Sequence, residues 1–352
     1  MPELWLIGGT GDIGTKVAAR LAAADAGPVV LVSRSQDRAE AAAHSLGDPA
    51  TRGQGIDSAN ASAVAQIPPG SAVLNLTEAT SPAFAARVVA GGGSFVETSA
   101  SADYIARLRS AVSAANGPGR AVFSVGLTPG LTNILAAELV ARMPQAKALD
   151  IIVEMGMGRH HGLAATEWFL RNAGVDYPAI IDGTQALHAP ARMRRRVRFT
   201  GDARTRLALG YGFSDQLVIA ERLKLASVRT FTALEPAFAT HGLGLAISAG
   251  LGGWIAHRAE RVARWMSRGP VLGPSRTRLL MQALDGNVAP LASTELHTSD
   301  QSEVTAVMAA LTLQKAATAS QRGALEIDDL IGFDKVHETL MDALPETRVY
   351  KT

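Results

Sequence analysis

The stretch Leu6-Ile7-Gly8-Gly9-Thr10-Gly11-Asp12-Ile13-Gly14 places a glycine-rich turn directly behind an apolar run and directly ahead of a helical pattern. Trp5, Leu6 and Ile7 read as a short buried strand, and Thr15 to Ala24 as an alanine-rich helix. Strand, tight turn and helix in that order form the setting in which a dinucleotide pyrophosphate sits. Gly9 allows the turn, Gly11 lets the backbone approach the phosphates, and Gly14 lets the helix pack closely on the strand. The helix N-terminus adds unpaired N–H groups and the positive end of its dipole. Gly8, Gly9, Thr10, Gly11, Asp12, Ile13 and Gly14 are therefore the expected phosphate cradle.

The next strand, Pro28 to Val32, arrives on schedule and ends in Ser33-Arg34-Ser35. An acidic residue there would hydrogen-bond a free ribose 2′-OH, as NAD requires. Here Ser33 takes the place, with Arg34 beside it and Arg38 one turn into the following helix. A guanidinium fork suits a 2′-phosphate, which a carboxylate would repel. The expected cofactor is NADPH/NADP+, held through Ser33, Arg34, Ser35 and Arg38. Asp57 closes a weak strand, Arg52 to Ile56, at a position that often lies beside an adenine. Asn75, Leu76, Thr77, Ser99 and Gly126 follow later strands and complete the expected cofactor contacts.

The chain has 352 residues, 47% of them hydrophobic, which is enough for two domains and a substantial core. It has no cysteine, so disulfides, thiolate nucleophiles and cysteine metal sites are excluded. That absence, and an N-terminus that runs straight into a strand, lead to a cytoplasmic expectation. A formal charge of +2 gives no reason to expect a nucleic-acid partner. The dense basic stretch Arg192 to Arg198 alternates in strand fashion and reads as a solvated edge. Its functional alternative is a site for an acidic substrate or partner.

From Pro236 to Ala256 there is no Asp, Glu, Lys or Arg, but five glycines make the stretch poor as a bilayer span. It runs on into Trp265 and Met266, with Arg258, Arg261, Arg264 and Arg268 opposite. The expectation is an interior or subunit-interface helix with an exposed arginine face and no membrane span. A basic amphipathic helix lying on a membrane surface is the alternative.

The first third alternates strand and helix, as a doubly wound, mainly parallel sheet should. Ser71 to Leu76, Ser94 to Glu97 and Ala121 to Val125 read as its further strands, separated by helices Pro82 to Ala90 and Ala102 to Ala115. From about Gly130 the rhythm changes to an α+β pattern with a mixed sheet. It includes hairpins joining Met193–Phe199 to Arg204–Leu209 and Leu279–Leu284 to Val288–Leu296. The expected domains are a Rossmann domain at 1–130, a substrate and dimerisation domain at 131–320, and a C-terminal segment at 321–352 that returns toward the first.

Three features together resemble the saccharopine dehydrogenase-like family of NADP oxidoreductases. They are the early glycine turn, the strand end Phe95-Val96-Glu97-Thr98-Ser99, and the helix start Gly126-Leu127-Thr128-Pro129-Gly130-Leu131-Thr132-Asn133. The likeness is strongest over residues 1 to 140. It implies a Rossmann domain with an inserted mixed-sheet substrate domain, and hydride transfer from NADPH to an imine formed between an amine and a carbonyl compound. Saccharopine-forming members carry an aspartate where Thr128 stands and a cysteine-containing loop where this chain has Met157 to Gly162. The acid–base apparatus is therefore not conveyed by the resemblance.

Reduction of an imine or carbonyl needs a proton donor for the atom that gains charge. His160 and His161, in a glycine-flanked loop after the strand Leu149 to Met155, are the leading candidates, since a histidine titrates near neutral pH. Glu97, at a strand end near the nicotinamide side, is the second; its bland reading is a carboxylate capping the Ser99–Ser101 turn. Glu154 and Glu167 are weaker candidates. None of Tyr104, Tyr177 or Tyr211 has a lysine four residues on, no zinc-ligand spacing occurs, and no Gly-x-Ser-x-Gly elbow is present. The expected function is an NADPH-dependent oxidoreductase acting on an imine or carbonyl of a small metabolite, as a homodimer. Its rivals are reduction of a C=C bond in a lipid-like substrate, with Leu243 to Ile255 as apolar wall, and an NADPH-binding regulator without turnover.

Overall fold

The computed structural model describes residues 2–158, 163–269 and 271–352. The chain groups into two compact units, Met1–Ile134 with Ser302–Leu340, and Leu135–Gln301 with Met341–Thr352.

The first unit contains β1 (Leu4–Ile7), α1 (Asp12–Ala23), β2 (Val29–Ser33), α2 (Gln36–Leu46), β3 (Thr51–Gly55), β4 (Ala72–Asn75), α3 (Pro82–Ala90), β5 (Ser94–Glu97), α4 (Ala102–Ala115) and β6 (Arg120–Phe123). Helix α5 (Thr132–Arg142) leads out of it. The second unit continues with β7 (Ala148–Gly156), α6 (Leu163–Asn172), β8 (Tyr177–Ile181), β9 (Thr184–His188), β10 (Arg194–Val197), β11 (Arg206–Gly210), α7 (Asp215–Leu223) and β12 (Ser227–Glu235). Three short helices follow, α8 (Ala237–Ser248), α9 (Gly252–His257) and α10 (Ala259–Met266), then β13 (Thr277–Leu284) and β14 (Pro290–Thr298). The chain ends with α11 (Gln301–Thr318), β15 (Gly323–Glu326), α12 (Phe333–Ala343) and β16 (Arg348–Lys351).

The first sheet is parallel throughout, in the order β3-β2-β1-β4-β5-β6-β15. Its central strands are buried on both faces, which is why Leu4 to Ile7 and Val29 to Val32 are continuous apolar runs and not alternating ones. The strand order reverses direction between β1 and β4. In open α/β sheets that crevice, at the carboxyl ends of the strands, is where ligands bind. Helix α11 is tied to α1 by Glu303, which pairs with Arg20 at 2.8 Å and Lys16 at 3.5 Å.

The second sheet is mixed, in the order β10-β11-β12-β7-β13-β14-β16, with β8 and β9 forming a separate hairpin. Both hairpins expected from the sequence form, β10 with β11 and β13 with β14. Strand β10 is an edge, with Arg194 and Arg196 exposed, while Arg195 pairs with buried Asp150 at 3.1 Å. The C-terminal return is divided: β15 extends the first sheet and β16 the second.

The uncharged stretch Pro236–Ala256, expected from the sequence as an interior or subunit-interface helix, is divided between two helices and is not interior along its whole length. The chain breaks after α8, with Gly250 in the left-handed region at φ 80°. Phe238 and Leu245 point outward, and only Thr240 and Gly244 of α8 are buried.

Candidate cofactor site

The turn after β1 is built by backbone bonds. Gly8 N–H donates to Val32 O at 3.1 Å, Gly9 N–H to Leu6 O at 2.9 Å, and Gly11 N–H to Gly8 O at 3.0 Å. A Cβ on Gly14 would stand 2.6 Å from the Cα and carbonyl oxygen of Gly9, so only hydrogen fits where helix and turn touch. The N–H groups of Asp12, Ile13 and Gly14 open α1 and have no acceptor within the helix. With Thr10 they form a cradle for an anion. Asp12 would oppose one, but its carboxylate is engaged by Lys16 at 3.1 Å.

At the end of β2, half-buried Ser33 accepts from Ser35 N–H at 3.3 Å, and Ser35 caps α2 by accepting from Arg38 N–H at 3.3 Å. These bonds set Arg34 and Arg38 beside the strand end. Both side chains are exposed and neither has an ion-pair partner among the described residues. Asp57 is exposed and accepts from Ala59 N–H at 3.2 Å.

Register places the remaining predicted residues. Ile7 pairs with Asn75 across β1 and β4, and Asn75 with Glu97 across β4 and β5. Leu76 N–H donates to Ile7 O at 2.9 Å, which brings the Leu76-Thr77 segment against the glycine turn. Asn75 and Glu97 are fully buried. The Asn75 amide donates to the Glu97 carboxyl at 2.7 Å and to Thr77 O at 2.8 Å, and its oxygen accepts from Thr80 Oγ1 at 2.6 Å. The second Glu97 oxygen accepts from Ser99 N–H at 2.7 Å. Ser99 and Ser101 hydroxyls both donate to Glu78. Burial lifts the Glu97 carboxyl from its ordinary 4.5 to about 8, against the lowering pull of Asn75 and Ser99. Gly126 follows β6, and its carbonyl accepts from Leu131 N–H at 2.8 Å.

Residues 4–117 match the family model described as the saccharopine dehydrogenase NADP binding domain. This part of the chain is a saccharopine dehydrogenase-type NADP-binding domain. The protein is accordingly an oxidoreductase that depends on a nicotinamide dinucleotide. Among curated proteins none matches. Among solved structures, the apo saccharopine dehydrogenase (L-Glu forming) from Saccharomyces cerevisiae is similar over 99% of this chain and 100% of its own, at 13% identity and TM-score 0.64. That likeness establishes a shared two-part fold. Diaminopimelate (DAP) dehydrogenase from C. glutamicum, in complex with DAP, aligns over 94% of both chains at 12% identity and TM-score 0.47.

An NADP-binding domain fits the residues observed: a helix start with orphan donors, a turn that admits no Cβ at Gly14, and two unpaired guanidiniums where the 2′-phosphate would lie. The candidate chemistry divides differently from the sequence reading. His160 and His161 lie outside the described residues. Glu97 ends its strand as expected, but its carboxyl is enclosed and both oxygens accept bonds from within the unit, including the one to Ser99 N–H. Glu154 is buried in β7 and ion-paired with Arg278, and Glu167 pairs with Arg171 on the surface of α6. Sequence reasoning missed Tyr104, whose hydroxyl donates to Thr80 O at 2.9 Å and receives the Asn75 amide at 3.2 Å. It also missed Thr80 and Ser58, whose hydroxyls meet at 2.8 Å. No periodic signal separates such residues from ordinary helix and loop positions.

Proposed function

We propose that the protein is an NADPH-dependent reductase that transfers hydride to the carbon of an imine or carbonyl in a small metabolite. The observation that carries the choice of NADPH over NADH is the pair of unpaired guanidiniums, Arg34 and Arg38, at the end of β2. A 2′-phosphate supplies the partner they lack, and a free ribose hydroxyl does not. NADPH, when bound, supplies the hydride, and the product needs one proton at nitrogen or oxygen. His160 or His161 is the proposed source of that proton.

Glu97 is a positioning residue in this reading. Through Asn75 and Ser99 it ties the ends of β4 and β5, so the Leu76-Thr77 segment stays against the glycine turn. The imine class follows the likeness to the family and to the yeast enzyme, named for the amino-acid adduct saccharopine. Homodimer formation, as expected from the sequence, is checked by sedimentation velocity.

The deciding experiment follows NADPH oxidation by the pure protein with panels of amine–ketoacid pairs, ketones and enoyl lipids. Turnover with the first or second panel is the expected result. Turnover with enoyl lipids alone overturns the substrate class, and tight NADPH binding without turnover on any panel assigns a regulator.

A further inference from the structure

Exposed large apolar side chains are concentrated in one segment of the second unit. Trp265 is 74% exposed, Leu245 72%, Phe238 65% and Trp254 52%. On α8 the outward positions 238, 241, 242, 245 and 248 recur at helical spacing, so Phe238 and Leu245 share one stripe. On α9 and α10 Trp254, His257, Glu260, Arg261, Arg264 and Trp265 are exposed, and so is Arg268 just beyond α10, so the two tryptophans stand among the arginines. The Arg258 guanidinium lies over the Trp254 ring, 4.7 Å from its centroid. A core or a water-facing helix would not combine these features: cores exclude free arginine, and solvated faces seldom display two tryptophans.

Charge decides what covers the segment. Between Pro236 and Leu284 the sole acid is Glu260, which pairs with Arg264 at 3.5 Å, while Arg261 and Arg268 have no ion-pair partner among the described residues. A second copy docked face to face would set arginine against arginine. Anionic lipid headgroups supply the missing countercharge, and the acyl boundary below them takes the tryptophan, leucine and phenylalanine side chains. Tryptophan and arginine both suit the headgroup level, each joining an apolar body to a polar end. Among the described residues no helix is long and apolar enough to cross a membrane, so the contact lies on the surface.

We infer that α8–α10 form a docking surface for anionic membranes, with Phe238, Leu245, Trp254 and Trp265 entering the interface and Arg261 and Arg268 holding the headgroups. This inference stands apart from the reductase reading, because vesicle binding is read without turnover.

The test is co-sedimentation of the purified protein with phosphatidylcholine vesicles containing about 30 mol % phosphatidylglycerol, against phosphatidylcholine alone. Binding is expected to the anionic vesicles, to weaken with salt, and to be accompanied by tryptophan quenching from brominated lipid. Each arginine near an anionic surface contributes about fivefold in affinity, so Arg261→Gln/Arg268→Gln should bind about thirtyfold more weakly. Trp254→Ser/Trp265→Ser and Phe238→Ser/Leu245→Ser should each lower binding as well. All these side chains are outside the cofactor site, so thermal melting and NADPH affinity report that the variants are folded. No binding to anionic vesicles at low salt overturns the inference, and so does binding that survives all three double substitutions. A dimer that the tryptophan substitutions dissociate, without vesicle binding by the wild type, assigns the surface to a second copy.

Discussion

Asn75 and Glu97 sit side by side in the β4–β5 register, and the Asn75 side-chain amide donates to the Glu97 carboxyl at 2.7 Å inside the first unit. The bond ties the end of β4, which borders the glycine turn through Leu76, to the end of β5, so its strength bears on cofactor affinity as well as on stability. The carboxyl titrates at about 8, because burial disfavours the charged form. A folded-state value raised above the ordinary 4.5 means that the folded protein holds a proton which the unfolded chain releases. This contribution is fully present below about 4.5 and is lost as pH rises through about 8. Glu78 is the neighbouring charge and pushes in the same direction.

Glu97→Gln removes the titrating group and one of the two acceptors. Losing that acceptor should cost about 1–3 kcal/mol near pH 5. The deficit should shrink toward pH 9, where the wild type carries a buried charge. Thermal melts across that range give the comparison, together with NADPH affinity. If wild type and variant melt in parallel at every pH, Glu97 does not titrate in the folded protein.

Arg34→Ala should weaken NADPH binding by about tenfold or more, since a hydrogen bond to a charged group contributes about 1.5–3 kcal/mol. NADH binding should barely change. Titration of both cofactors against wild type and variant reads this directly, and a wild type that prefers NADH defeats the assignment of Arg34 and Arg38.

His160→Ala or His161→Ala should lower turnover by about 10²–10⁴-fold with NADPH affinity nearly intact, once a substrate is in hand. The product takes up a single proton, so one substitution should dominate. Near-wild-type rates in both variants would transfer proton delivery to water or to the substrate itself.

The glycine turn was legible because its signals are local: an apolar run, glycines at fixed offsets and an alanine-rich helix all fall within twenty-four residues. The positions of Arg34 and Arg38, at the end of β2 and the start of α2, were legible for the same reason. Glu97 was placed correctly along its strand, yet its depth is set by flanking β4 and β6 and by Tyr104, seven residues further on, none of which shows in the pattern around it. For the stretch from Pro236 to Ala256 the interior half of the expectation fails, by the opposite route. Lack of charge suggests burial, but burial depends on what packs against the helix, and α8 turns only Thr240 and Gly244 fully inward.

In the second unit, Arg278 is buried between Glu154, with which it is ion-paired, and Asp202 at 2.9 Å, its guanidinium 4.3 Å from the Phe199 ring centroid. Arg206 extends the network to Asp202 at 3.0 Å and Glu235 at 3.3 Å. Burial raises the Glu154 carboxyl above its ordinary range although Arg278 pulls it down. At Asp202 burial also pushes up, but the bonds from Arg278 and Arg206 outweigh it and hold the group below its ordinary value. Arg278→Met removes the central cation and should destabilise the protein by about 3–5 kcal/mol, the usual cost of leaving a buried charge unpaired. The sign of its pH dependence between pH 5 and pH 8 follows from Glu154. Without Arg278, Glu154 resists ionisation further, so stability is lost as pH rises. The contribution from Asp202 is present above about 3.8 and is lost only as pH falls below that, so its reduction subtracts about equally at pH 5 and pH 8. The deficit should therefore be larger at about pH 8 than at about pH 5. Urea unfolding at the two pH values measures it, and a deficit that is equal at both, or larger in acid, shows that Arg278 acts through Asp202 and packing on Phe199 and not through Glu154.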